Sequence, residues 1–187
     1  MEKEQQGWVG ISTEPVKIKD ILESEMLNNA LADPEILDFE DTNIPIEKHP
    51  HFTGIYGLTL EGCSQLDEVF DFTWFQLKNK KVEIEDLEVF DCEDKFSCLV
   101  ATLKKDETIL SFRKKLMSYD HYEQEFPEYK PHITICWFGE ILSEDEKFIA
   151  KSTFEFLKGR KLSITGIEFD NPYYSENVDK LISLKFN

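Results

Sequence analysis

Residues 131–138 of this 187-residue chain read PHITICWF, and residues 51–60 read HFTGIYGLTL. Both stretches are short and rich in β-branched and aromatic residues, so each predicts a β-strand. Each contains a histidine followed two residues later by a threonine: His51 with Thr53, and His132 with Thr134. Because residues i and i+2 of a strand point to the same face, each strand presents an imidazole and a hydroxyl to one side.

The elements predicted around these two H-x-T motifs occur twice in the same order. A strand at 8–12 and a helix over 16–31 precede the first motif, and a strand at 96–103 and a helix over 106–119 precede the second. This repeat is a weak internal duplication of topology. A strand at 82–90, whose apolar and acidic residues alternate, is expected to form a hairpin with 96–103, which favours mixed sheets over an all-parallel fold.

The rest of the pattern completes an α+β chain. Ser143 and Glu146 have the spacing of a capping box for a helix over 143–158, which Gly159 ends. Residues 33–49, rich in acids and prolines, predict a loop. The other predicted elements are a turn at 62–64, a short helix over 65–77, and strands at 162–169 and 181–186.

The charge of the chain restricts its partners. The formal net charge is −17. Long nucleic acid is bound by neutralising many phosphates with Lys and Arg, so this charge argues against it, and against an anionic membrane surface. A small nucleotide needs only a few local cations and stays possible as a partner.

The cysteines and the N-terminus bear on compartment and cofactors. The four cysteines form no C-x-x-C pair, and no His/Cys cluster has the spacing of a zinc site, so we expect reduced thiols, no metal and no cofactor. The first six residues are polar, and no apolar run approaches the ~20 residues of a membrane span. We therefore expect a cytoplasmic protein without a membrane partner.

The paired motifs have a chemical use. A neutral imidazole takes a proton from a nucleophile, and a protonated imidazole gives one to a leaving oxygen; both states exist near neutral pH. Two histidines that flank one phosphate therefore supply a base and an acid, and threonine hydroxyls stabilise the charge that develops on the non-bridging oxygens. We expect His51, Thr53, His132 and Thr134 to be catalytic. The structural alternative is that each histidine ends a strand and each threonine follows β-propensity.

At residues 126–135, FPEYKPHITI, the chain is similar to the second motif of phage-encoded members of the two-histidine (2H) phosphoesterase superfamily. The paired motifs, the hairpin and the helix before the second motif extend this resemblance over 8–186. It implies one bilobal α+β domain over 1–187, with two mixed or antiparallel sheets. The sheets would be related by pseudo-twofold symmetry around a central groove, to which each lobe contributes one H-x-T.

The resemblance also implies an activity. Members of the superfamily hydrolyse 2′,3′-cyclic phosphates, 2′-5′ oligoadenylates, and the cyclic di- and trinucleotide signals of the bacterial CBASS defence. The phage-like second motif favours the last, which phage anti-CBASS nucleases perform in the cytoplasm of the host cell. The other two activities, or a sponge that binds a nucleotide without cutting it, are the alternatives.

Four further residues are candidates for substrate binding. A nucleotide needs an aromatic platform for its base as well as a phosphate site. Trp8, Tyr173 and Tyr174 are candidate platforms, with core packing as the alternative for Trp8 and plain exposure for the two tyrosines. Lys130, just before the second motif, is a candidate for neutralising a phosphate, and a solvated surface lysine is the alternative.

Three other residues are given structural roles. Trp137 lies five residues after His132, so strict strand alternation places it on the opposite face, in the core. His49 and His121 lie outside the motif strands and are expected to be incidental. The alternating acids at 83–86 are expected to form the wet face of a strand and not a metal site.

Overall fold

The computed structural model describes residues 6–16, 47, 49–73, 77–92, 95–124, 128–173 and 181–185. The strands in these ranges are β1 (Gly7–Thr13), β2 (His51–Leu58), β3 (Lys81–Cys92), β4 (Phe96–Leu103), β5 (His132–Trp137), β6 (Lys161–Asp170) and β7 (Leu181–Lys185). The α-helices are α1 (Leu60–Thr73), α2 (Glu107–Leu116) and α3 (Glu144–Thr153), and a 3-10 turn, Glu155–Leu157, follows α3.

The strands follow the order β2-β1-β6-β3-β4-β5, with β7 paired to β6. This order is the same from either end: a motif strand lies at each edge, followed by the strand that pairs with it. Every ladder between these strands is antiparallel, so of the mixed and antiparallel possibilities the described strands adopt the second. One half of the sheet consists of β2, β1 and β6, and the other of β3, β4 and β5. A short ladder between 81–83 of β3 and 161–163 of β6 joins the two halves. The predicted bilobal α+β fold with pseudo-twofold symmetry is confirmed.

The core lies on one face of both halves. Apolar residues of β2 (Phe52 and Ile55) and of β5 (Ile133 and Ile135) belong to the same buried cluster. Successive residues of a strand point to opposite faces. The faces of β2 and β5 that do not contact the core therefore both lie on the side of the sheet turned away from it.

Helix α2 packs against β2, in the other half of the chain. Its buried residues, Ile109, Phe112 and Leu116, have the spacing of one helix face. The contact needs a glycine at position 54, because a Cβ there would lie 2.6 Å from Cδ1 of Leu116. A helix of the second half thus supports the motif strand of the first.

Several local signals are confirmed. Asp106 caps α2 by accepting a 2.9 Å hydrogen bond from the amide of Ile109. Ser143 and Glu146 form the predicted capping box of α3. The helix predicted over 143–158 is shorter than expected: α3 ends at Thr153, and Gly159, with a φ of +77° that favours glycine, follows the separate 3-10 turn.

The prediction for residues 62–64 was wrong: they lie inside α1 and form no turn. The helix begins at Leu60 because the Thr59 hydroxyl accepts a 3.1 Å hydrogen bond from the amide of Gly62, as an N-cap does. The predicted helix at 16–31 and most of the loop at 33–49 lie outside the described residues. Within the described ranges, no helix is long and apolar enough to cross a membrane.

Candidate active site

The first motif strand holds His51 through two contacts. Its Nδ1 lies 3.1 Å from the main-chain carbonyl oxygen of His49. The ring of Trp8, on the neighbouring strand β1, meets the imidazole edge to face, with centroids 5.0 Å apart and planes at 78°. A hydrogen bond and a ring contact together fix the imidazole.

The second motif strand repeats this arrangement with different residues. Nδ1 of His132 lies 2.8 Å from the carbonyl oxygen of Lys130. The ring of Phe90, on β3, meets the imidazole edge to face, with centroids 5.0 Å apart and planes at 75°. Each motif histidine is therefore held by the carbonyl two residues before it and by one aromatic side chain.

These carbonyl contacts determine which nitrogen of each ring carries the proton. A carbonyl oxygen only accepts hydrogen bonds, so Nδ1 of His51 and of His132 is the donor. In the neutral ring the lone pair then lies on Nε2, and in the charged ring Nε2 is a donor. Both histidines thus present Nε2 as the nitrogen that exchanges protons.

In each motif strand the threonine lies on the same face as its histidine, the face turned away from the core, which we call the motif face. The contacts of the two threonines differ. Nε1 of Trp8 donates a long, 3.3 Å hydrogen bond to Oγ1 of Thr53. With an oxygen lone pair occupied in this way, the Thr53 proton is left to donate elsewhere. Thr134 is half-buried, and its hydroxyl makes no hydrogen bond within the described part of the chain.

Two contacts bring the motif strands together. The amide of Glu47 donates a 3.0 Å hydrogen bond to the carbonyl of Ile135. The phenol of Tyr129 donates a 2.9 Å hydrogen bond to the carbonyl of Thr53. Leu58 also forms an antiparallel bridge with His121. Because the contacts of the second segment move from Leu58 back to Glu47 as that segment advances from His121 to Ile135, β2 and β5 run antiparallel.

The outer edge of β2 is covered by the second half of the chain. Four of its carbonyls accept hydrogen bonds from residues between 113 and 129. The pairs are Thr53 with Tyr129 (2.9 Å), Gly54 with Arg113 (2.6 Å), Tyr56 with Gln124 (3.0 Å) and Gly57 with Tyr122 (2.8 Å). An edge strand with its acceptors satisfied in this way is held in one register.

Arg113 and Tyr129 also contact each other. The guanidinium carbon of Arg113 lies 4.7 Å from the centre of the Tyr129 ring. Burial raises the pKa of Tyr129, so its phenol stays a hydrogen-bond donor well above neutral pH, and burial lowers the pKa of Arg113. The pair forms a bracket behind the first motif, which we call the Arg113–Tyr129 bracket.

Each motif strand contains a β-bulge just after its threonine. The register with the neighbouring strand shifts between Thr53 and Ile55 in β2, and between Thr134 and Cys136 in β5. Two consecutive residues then point to the core in each strand: Gly54 with Ile55, and Ile135 with Cys136. The extra residue reverses the alternation that follows it.

The assignment of Trp137 to the core was therefore wrong. The bulge places Trp137 on the motif face, opposite Cys98, and its ring is half-buried against Phe96 with centroids 5.6 Å apart. A strict period of two fails at this position because the bulge inserts one unpaired residue.

The predicted substrate-binding residues have different surroundings. Trp8 is half-buried and contacts the first motif directly. Lys130 forms an ion pair with Glu88 and lies 5.9 Å from the centre of the Phe90 ring. Tyr173 is half-buried and packs against the core, and Tyr174 lies outside the described residues.

The two remaining histidines have structural contacts. His49 supplies the carbonyl that orients His51, and its amide donates to the Glu47 carboxylate at 2.9 Å. His121 pairs with Leu58 as an isolated bridge at the end of β2, and its Nδ1 donates to the carbonyl of Tyr119 at 2.8 Å.

Several residues near the motifs were not identified from the sequence. Phe90 contacts His132 from two strands away, and no local pattern marks it. Glu168 and Glu88 occupy equivalent register positions on the motif face, two strands from Thr53 and Thr134. The side chain of Ser12 donates to Glu168 at 3.2 Å. These residues can be identified only when the register between neighbouring strands is known.

No group of three or more His, Cys, Asp or Glu side chains in the described ranges is placed to hold a metal ion. The acids of β3 are used in surface ion pairs, such as those of Glu83 with Lys104 and Lys161.

Solved structures show the same fold. A structure of Kluyveromyces marxianus Usb1 with uridine monophosphate matches with a TM-score of 0.59 at 10% identity, covering 96% of this chain and 98% of that one. A second structure of the same protein gives 0.60 and 10%, with 96% and 97% covered. That protein has the 2H phosphoesterase fold, which this chain shares. No family model matches the sequence, and no curated protein does.

Proposed function

We propose that this protein is a metal-independent phosphodiesterase that cleaves a small nucleotide by acid–base catalysis between His51 and His132. The observation that carries this proposal is the equivalent setting of the two histidines. Each presents Nε2, each has a threonine on its own face, and the strands that hold them lie side by side. One domain over 1–187 accounts for both halves of the site.

The reaction uses one histidine in each protonation state. Nε2 of the neutral histidine takes the proton from the attacking hydroxyl, either water or an adjacent ribose 2′-hydroxyl, as its oxygen bonds to phosphorus. The bond from phosphorus to the leaving oxygen breaks, and Nε2–H of the charged histidine protonates that oxygen. The hydroxyls of Thr53 and Thr134 donate to the non-bridging oxygens.

The substrate we favour is a cyclic di- or trinucleotide second messenger, cleaved in the cytoplasm of a bacterial host to counter CBASS immunity. The resemblance of residues 126–135 to phage-encoded enzymes supports this choice. The electrostatics support a small ligand: Lys130 is paired with Glu88, and Glu168 adds a second carboxylate to the motif face. A surface with these charges disfavours a long polyanion.

A second candidate is cleavage of 2′,3′-cyclic or 2′-5′ phosphodiesters in RNA fragments. It is favoured by the fold shared with Usb1, which was solved with uridine monophosphate. A sponge that binds a nucleotide without cutting it is the third candidate, and product analysis separates it from the other two.

A substrate panel tests the proposal. Cyclic dinucleotides, cyclic trinucleotides, 2′-5′ oligoadenylate and 2′,3′-cyclic mononucleotides are incubated with the protein in excess EDTA, and products are separated by chromatography. We expect cleavage of at least one cyclic oligonucleotide at an undiminished rate in EDTA. Cleavage of only the last two substrates would favour the RNA alternative. Recovery of intact but bound ligand would favour the sponge, and a strict metal requirement would refute the mechanism.

A further inference from the structure

Each H-x-T motif is followed by an aromatic residue that its β-bulge brings to the motif face. Tyr56 and Trp137 both lie five residues after their histidine, at positions that an unbroken strand would turn to the core. The bulges after Thr53 and Thr134 reverse this parity. Neither residue belongs to the main buried cluster, whereas Ile55 in β2 and Ile135 and Cys136 in β5 do.

The cross-strand register gives the spacing between each aromatic residue and its threonine. Thr53 pairs with Gly10 and Tyr56 with Trp8, two residues apart on β1. Thr134 pairs with Val100 and Trp137 with Cys98, two residues apart on β4. Two residues of a strand span about 7 Å. This is comparable to the reach of one nucleoside from its phosphate to its base.

The two aromatic residues lie at opposite ends of the site. Tyr56 and Trp137 both follow their threonines along the chain, and β2 and β5 run antiparallel, so the two rings are reached in opposite directions from the central threonines. Tyr56 is 58% exposed, and its ring makes no hydrogen bond or ring contact within the described part of the chain. Trp137 is half-buried, held at one edge by Phe96.

We propose that Tyr56 and Trp137 are a pair of base-stacking platforms, one on each side of the scissile phosphate. This inference rests on the proposed function and narrows its substrate class to phosphodiesters with a nucleobase on both sides. Stacking on an aromatic side chain tolerates any base, so the pair sets the number and spacing of the bases and leaves their identity open.

Three adenosine phosphodiesters test the assignment. Adenylyl-(3′→5′)-adenosine has a base on each side of its phosphate, whereas adenosine 3′-(methyl phosphate) and adenosine 5′-(methyl phosphate) each have one. Binding is measured by calorimetry and cleavage by chromatography for the wild type, Tyr56→Ala and Trp137→Ala. Phe148→Ala is the matched control, because Phe148 is an aromatic residue that is 67% exposed on α3, away from the motif strands.

Tyr56→Ala and Trp137→Ala should each weaken binding of the dinucleotide by roughly tenfold, and Phe148→Ala should leave it unchanged. Each one-base ester should be weakened by only one of the two variants. Unchanged dinucleotide affinity in both variants would overturn the assignment, as would an equal loss on both one-base esters, which indicates general damage to the groove. Trp137→Phe should recover most of the affinity, and it replaces Trp137→Ala if that variant does not fold.

The two readouts separate this inference from the proposed function. A wild type that binds the dinucleotide with both rings but cleaves none of the panel would leave the platforms standing and refute the enzyme. If the two variants bind and cleave the dinucleotide as efficiently as the wild type, the enzyme would be supported and the platforms refuted. Absence of binding to all three esters would refute the platforms, and the enzyme would still be judged on the substrate panel.

Discussion

The phenol of Tyr129, three residues before His132, donates a 2.9 Å hydrogen bond to the main-chain carbonyl of Thr53, the last residue of the first H-x-T motif. This bond joins the approach to the second H-x-T directly to the backbone of the first. This part-buried hydroxyl, together with Arg113, which donates to the next carbonyl, helps to hold the two H-x-T motifs at a fixed distance.

Replacing Tyr129 with Phe should reduce both stability and turnover. A carbonyl that loses its buried partner costs about 1–3 kcal/mol, and each kcal/mol lowers the Tm of a chain of this size by roughly 2–4 °C. We expect a Tm several degrees lower, together with a lower kcat/KM because the motif strands lose their alignment. Calorimetry and turnover on the best panel substrate measure the two effects.

Tyr119→Phe is the control for this prediction. The hydroxyl of Tyr119 is also buried but has no hydrogen-bond partner within the described residues. Its removal should leave Tm unchanged or raise it, since an unsatisfied polar group is lost. Equal losses of stability in the two variants would show that the Tyr129 bond contributes nothing specific.

A methyl group at Gly10 should displace Trp8 from the first motif. A Cβ at this position would lie 2.3 Å from the Trp8 ring, so Gly10→Ala forces the indole away from His51 and Thr53. Misplacing these groups should lower kcat by roughly 10- to 100-fold. Gly139→Ala is the matched control, because a Cβ there meets nothing within 4 Å. Wild-type kcat in Gly10→Ala would show that Trp8 does not position the motif.

The thiol of Cys136 makes stability depend on pH in alkaline solution. Burial raises the pKa of Cys136 from 9.0 to about 12. In this range the unfolded chain loses the thiol proton and the folded chain keeps it, so the stabilising contribution is complete below pH 9 and is lost as the pH rises towards 12. Denaturant unfolding of wild type and Cys136→Ala between pH 8 and about 11 isolates this slope. If the free energy of unfolding falls with pH equally in the two proteins, Cys136 does not cause the dependence.

The sequence predicted the repeated topology and the pairing of His51 with Thr53 and His132 with Thr134, because both depend on local periodicity. Trp8, named from its place in the first strand, contacts the first motif, and its role as a platform for a base stays a prediction. The bulges were missed, since a bulge is defined by the register with another strand, and so Trp137 was assigned to the wrong face. Phe90 and the Arg113–Tyr129 bracket reach the motifs from distant elements, and nothing local marks them.

If His51 and His132 share one reaction as base and acid, replacing either one alone should stop turnover. Turnover of the best panel substrate is measured in EDTA for the wild type, His51→Ala and His132→Ala, with His121→Ala as a histidine control that retains activity. Either motif variant should lose at least ~100-fold in kcat while keeping a wild-type circular dichroism spectrum. Wild-type kcat in either folded motif variant would show that the two histidines do not share one reaction.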